Sequence, residues 1–62
     1  MTEEKVRDLD ATLGRLKAAF AILKIEEKDL RGMGMDKEAQ MVNQALQAIS
    51  FATVWIVEEI EK

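Results

Sequence analysis

The chain has 62 residues, 48% of them apolar and 34% charged, with a formal net charge of −3. A chain this short admits one small domain, and such domains bury so little surface that they usually need disulfides, a metal or oligomerisation. The absence of Cys and His excludes disulfides and thiolate metal sites and removes the commonest metal ligand and general base, which leaves oligomerisation. The acidic balance argues against a protein that holds nucleic acid through its phosphates.

The first residues, Met1-Thr2-Glu3-Glu4-Lys5, are polar and acidic where a secretory signal would be basic and then apolar. The expectation is a cytoplasmic protein. Thr2 is placed to cap a first helix, with Glu3 and Glu4 where the helix dipole favours negative charge. That helix is predicted over 3–31. Its apolar residues Val6, Leu9, Leu13, Leu16, Phe20, Leu23 and Leu30 recur at alternating steps of three and four, with Glu27 at the one missed position. This is the heptad seam of bundles and coiled coils.

There is no proline, and the stop comes from Gly32 and Gly34. The spacing predicts a loop over 32–35, with Gly32 in the left-handed conformation that closes a helix and Asp36 capping the next one. The second helix is predicted over 36–61, with a seam of Val42, Leu46, Ile49, Thr53, Ile56 and Ile60. The β-branched run Ile49–Val57 would suit a strand, but it continues without a breaker from Asn43-Gln44-Ala45 into Glu58-Glu59-Ile60. Ala39–Val57 has no charged residue and nearly the length of a membrane span. Gln40, Asn43, Gln44, Gln47, Ser50 and Thr53 interrupt it with groups costly in hydrocarbon, so no membrane segment is expected. The fold class is therefore all-α: residues 1–62 form one antiparallel two-helix hairpin.

Each helix also carries apolar residues off its seam. Helix one has Ala11, Gly14, Ala18, Ile22 and Ile25; helix two has Met41, Ala45, Ala48, Ala52 and Trp55, with Phe51 and Val54. A hairpin covers one face per helix, so a second copy is expected to cover the rest. The small residues let helices approach closely. The expected oligomer interface is Gly14, Ala18, Ile22, Ala45, Ala48 and Ala52. Gly14 is pointed, because Gly in a helix interior costs about 1 kcal/mol against Ala and suggests close approach there.

Without Cys, His or Tyr, nucleophilic and general-base chemistry lack their usual carriers, and no enzyme, metal site or cofactor is expected. Glu26, Glu27 and Glu38 are the best all-carboxylate grouping and lack the Glu-x-x-His pairs of bundle metal sites. Lys17, Lys24 and Arg31 recur every seven residues along one edge of the seam, with Arg15 nearby. In an antiparallel hairpin Arg15 and Lys17 fall level with Phe51 to Trp55. Cations beside an aromatic suit a phosphorylated nucleotide, and equally suit flanking ion pairs in a bundle. Trp55 is either core or interface, given the area an indole buries, or a platform for a ligand. Asn43 and Gln47 on an apolar helix either fix register between helices or read a base edge.

The stretch Ala45-Leu46-Gln47-Ala48-Ile49-Ser50-Phe51-Ala52-Thr53-Val54-Trp55-Ile56-Val57-Glu58-Glu59-Ile60 resembles the C-terminal helix of small phage proteins that sequester cyclic nucleotides, the helical-hairpin anti-CBASS and anti-Thoeris sponges. Ala45, Ile49, Ala52, Trp55 and Ile60 match the register of that helix. Glu58 stands where the family usually carries a basic residue and Gln47 where it often carries Thr, which leaves the ligand and the pocket open. The resemblance implies binding without turnover: an oligomer in the cytoplasm of a bacterial host holding a signalling nucleotide between hairpins. Arg15 and Lys17 would hold phosphate, Phe51 or Trp55 would stack, and Asn43 or Gln47 would read polar edges. The alternatives are a four-helix-bundle module that docks a protein partner and a small RNA-binding helical dimer, the latter disfavoured by the charge.

Overall fold

A computed structural model describes residues 2–62. Two helices, α1 (Glu3–Gly32) and α2 (Asp36–Glu61), pack against each other as a hairpin. At 1.5 Å per residue, the 30 residues of α1 account for the long dimension of the molecule, whose Cα extents are 47 × 15 × 11 Å.

The cap at Thr2 forms as expected. Its backbone is extended and its Oγ1 accepts a hydrogen bond from the Lys5 amide at 3.2 Å. Glu3 and Glu4 lie in the first turn and Arg31 in the last, each sign at the helix end where the dipole favours it.

The loop corrects two expectations. Gly32 is the last residue of α1, and Gly34 holds the left-handed conformation, with φ at 77°. The Met35 amide donates back to the Leu30 carbonyl at 2.9 Å and the Gly34 amide to the Arg31 carbonyl at 3.1 Å. This is a Schellman closure, in which the left-handed residue is the second one beyond the last helical position that shares its bonds. Asp36 is not a cap either. It is the first helical residue of α2, behind Met35, which caps with no side-chain bond. Asp36 and Glu38 instead place negative charge in the first turn, where the dipole favours it.

The seam is the one the spacing predicts. Leu13 and Leu46 are buried, and Val6, Leu9, Leu16, Phe20, Leu23 and Leu30 on α1, with Val42, Ile49, Thr53, Ile56 and Ile60 on α2, are half-buried. It extends one turn further to Ala39, fully buried beneath the loop, where only a small side chain lets the helices converge. Thr53 satisfies its hydroxyl within α2 by donating to the Ser50 carbonyl at 2.8 Å. Glu27 fills its seam position with a carboxylate that lies 3.5 Å from the Arg31 guanidinium, its side chain 16% exposed.

What the hairpin leaves open matters more. Leu13, Ala39 and Leu46 are the only buried apolar residues among those described, so the seam is covered from one direction only. A compact monomer of 7.0 kDa is expected to expose about 4000 Å², whereas this chain exposes 4839 Å². Large apolar side chains contribute to that exposure: Ile22, Ile25, Met41, Phe51 and Trp55 are each 59–68% exposed.

Candidate functional site

The seam fixes where every other side chain points, because helical residues repeat their direction every seven positions. Beside the seam on one flank of the hairpin lie Thr12 and Ala19 of α1 and Ala45 and Ala52 of α2. Arg15, Ile22, Met41, Ala48 and Trp55 continue this flank outward. On the opposite flank lie Lys17, Lys24 and Arg31 of α1 with Asn43, Ser50 and Val57 of α2, continued by Gln47 and Val54. Ala11, Gly14, Ala18, Ala21 and Ile25 form the outer surface of α1, and Phe51 lies on the outer surface of α2.

Local contacts agree with this division. The Arg15 guanidinium donates to Thr12 Oγ1 at 3.3 Å, which holds it over the first flank. Gln47 donates to Asn43 Oδ1 at 2.9 Å on the second. Across the helices, Lys5 is close enough to Glu59 to help lower its pKa, and both belong to the first flank. The larger causes of that shift are the hydrogen bond and the charge of Lys62, whose ammonium lies 2.9 Å from Glu59 Oε1.

The six residues singled out as ligand-binding are therefore not gathered by one hairpin. Arg15 and Trp55 share the first flank and lie at similar heights, since residues equally far from Gly34 are level in an antiparallel pair. Lys17, Asn43 and Gln47 belong to the second flank, and Phe51 to neither. The expected interface also divides. Ile22, Ala45, Ala48 and Ala52 lie on the first flank, with Ala52 half-buried beside the seam, while Gly14 and Ala18 face away on the outside of α1. Among the described residues, apart from the chain neighbours of Gly14 and the adjoining backbone of α1, no atom lies within 4 Å of where a Gly14 Cβ would stand. The hairpin itself does not need a glycine there.

Near the loop, Glu27 and Glu38 each carry one carboxylate oxygen that is sealed from solvent without a hydrogen-bond partner. Among the described residues no three Asp or Glu side chains are placed to share a metal ion. A shallow depression of about 450 Å³ is lined by Ala21, Lys24, Ile25, Glu27 and Lys28. All five belong to α1, so it lies along one helix and encloses nothing. No helix among the described residues is long and apolar enough to cross a membrane.

Comparison with known protein families, with curated proteins and with solved structures returned no match.

The first flank is the most developed surface. Its floor is Thr12, Ala19, Ala45 and Ala52, short side chains that leave a flat strip between the helices. Its walls are Ile22, Met41 and Trp55, each more than half exposed. A flat strip of small residues between larger apolar ones is what a neighbouring helix pair needs in order to pack closely. The sequence pointed to Ile22, Ala45 and Ala52 but grouped them with Gly14 and Ala18. Thr12 and Ala19 were missed because neither is conspicuous until α2 is rotated into place beside them.

Proposed function

We propose that the chain is a non-catalytic helical-hairpin module that works by self-association, completing a helical bundle with further copies of itself. The observation that carries this reading is the exposed apolar surface on both helices, with Ile22, Met41, Phe51 and Trp55 each 59–68% exposed on a molecule with almost no enclosed core. A two-helix chain of this length gains too little from one seam to offset the ordering of its backbone. A second layer supplies the missing burial. Light scattering at micromolar concentration tests it: the expected result is a folded species of at least twice 7.0 kDa, and a well-folded monomer would overturn the reading.

For the role of such an oligomer we propose sequestration of a cyclic nucleotide signal, as the resemblance of the second helix implies. The placement that favours it is Arg15 on the same flank and near the same height as Trp55, a cation beside an exposed aromatic. Lys17, Asn43 and Gln47 would have to come from another copy. A thermal-shift series with cyclic di- and trinucleotides and cyclic ADP-ribose isomers tests this, because any ligand of the native state raises stability. No shift with any of them up to millimolar concentration leaves the bundle as a structural or protein-docking module.

A further inference from the structure

We infer that the occupant of the first flank is a second copy of this chain lying antiparallel, loop end against open end, with the two-fold axis passing near Ala48. The inference rests on the self-association reading and adds the face and the orientation. From the loop outward, the flank begins with Glu38, Asp29 and Glu26, three carboxylates with no cation among them. It continues through Ala45, Ile22, Ala48, Ala19 and Ala52, and reaches Arg15, Trp55 and Thr12. It ends with Lys5 and Lys62 interleaved with Glu59 and Asp8.

Two copies joined with their loops together would stack the three carboxylates of one against the three of the other. Reversing one copy removes that repulsion, and like-charge juxtaposition is among the strongest determinants of interface register. The reversed arrangement is also complementary in detail. An axis near Ala48 sets α2 against its own copy, Ala45 opposite Ala52 and Trp55 over Met41, where a flexible thioether meets an indole. It sets α1 against its own copy, Ala19 opposite Ile22 and Arg15 opposite Glu26, so this dimer takes up Arg15 and Trp55 and a nucleotide seated on that pair would compete with it. The charged ends close the contact and the small residues occupy its middle. With Cα extents of 47 by 15 Å, the face offers on the order of 800 Å² per copy, the size of a standard stable interface.

Single cysteines in this cysteine-free chain test the orientation. Ala48→Cys stands near the axis and is expected to give a covalent dimer with a short bismaleimide. Glu38→Cys stands near the loop end, about 30 Å from its counterpart at 1.5 Å per residue, and is expected to remain uncross-linked. Cross-linking at Glu38→Cys and not at Ala48→Cys overturns the orientation. If neither links while the unmodified chain still sediments as an oligomer, the interface lies elsewhere and only this inference fails. A monomeric unmodified chain removes the self-association reading as well.

A charge exchange gives a second readout on exposed side chains that lie outside the seam of the hairpin. Arg15→Glu sets acid against Glu26 of the other copy at two symmetric places and is expected to weaken association about tenfold or more. Adding Glu26→Arg to the same chain is expected to restore it. The two positions are too far apart along α1 to touch within one copy, so a failure of rescue refutes the pairing.

Discussion

Replacing Gly14 by Ala tests most directly which surfaces of this hairpin are covered. The residue lies in the interior of α1, where glycine costs about 0.8–1.0 kcal/mol relative to alanine. Its Cβ would meet no atom within 4 Å, so the new methyl group brings the helical gain without strain. For a chain of 62 residues a gain of about 1 kcal/mol raises the melting temperature by roughly 4–8 °C. In the antiparallel dimer Gly14 faces away from the partner, so the increase is expected at every protein concentration. Circular dichroism melts of both chains over a hundredfold concentration range measure it, the series being needed because an oligomer's midpoint depends on concentration. A fall in melting temperature, or a gain that disappears as concentration rises, would show a helix seated against Gly14. Overpacking such a contact costs about 1–3 kcal/mol. That outcome would refute the placement of the interface on the other flank.

The loop yields a contrast between two glycines two residues apart. Gly34→Ala forces a side chain into φ 77° and is expected to cost about 1–2 kcal/mol, whereas Gly32→Ala, inside α1 with open space around it, is expected to be neutral or mildly stabilising; urea melts at fixed concentration separate them, and equal effects would contradict the Schellman closure. Leu46→Ala removes one of the few buried side chains and is expected to cost at least about 2 kcal/mol, enough to show as lost helicity by circular dichroism at room temperature, while Gln44→Ala on the exposed surface of the same helix leaves the spectrum unchanged. Lys62 holds the Glu59 carboxyl below its usual range, chiefly through its hydrogen bond and charge. Lys62→Gln is expected to bring the Glu59 titration, followed by carboxyl chemical shifts, back up toward the ordinary value. Because the folded pKa is the depressed one, the contribution of this pair to stability is present above the ordinary carboxylate range and is lost as pH falls through the lowered pKa. On so exposed a pair the effect on melting is expected to be small.

Much of this architecture is legible in the sequence because the seam is written in an uninterrupted three-four rhythm. From Val6 to Leu30 and from Val42 to Ile60 each expected position is the one that turns inward, and Glu27 keeps its place in the rhythm despite its charge. The loop was less legible for a physical reason. Gly32 and Gly34 are equally able to take a positive φ, and the choice between them depends on which carbonyls of α1, Leu30 and Arg31, receive the returning amides. Asp36 followed from the same uncertainty, since a one-residue change in where α2 begins converts a cap into a first-turn charge. The candidate site was legible residue by residue and not as a grouping. Stripes counted separately on each helix placed Gly14 and Ala18 with Ala52, but which stripe joins which depends on how α2 is rotated about α1. Arg15 and Lys17, two positions apart in sequence, fall on opposite flanks because two residues turn a helix through about 200°.

The three-residue turn also shifts the phase of the chain. Heptads continued from Leu30 through the loop would reach positions 34, 37 and 41, whereas α2 takes up its seam at Ala39 and Val42. Were Met33-Gly34-Met35 to straighten into one long helix, the seam of α2 would emerge on the side of the rod opposite the seam of α1, in line with Ala11, Gly14 and Ala18. No single neighbouring helix can cover both sides of a rod. An exchange of arms between copies through one continuous helix, the hazard that short hinge connections carry, is therefore disfavoured by the phase of the seam, and the turn at Gly34 is what brings the two seams face to face.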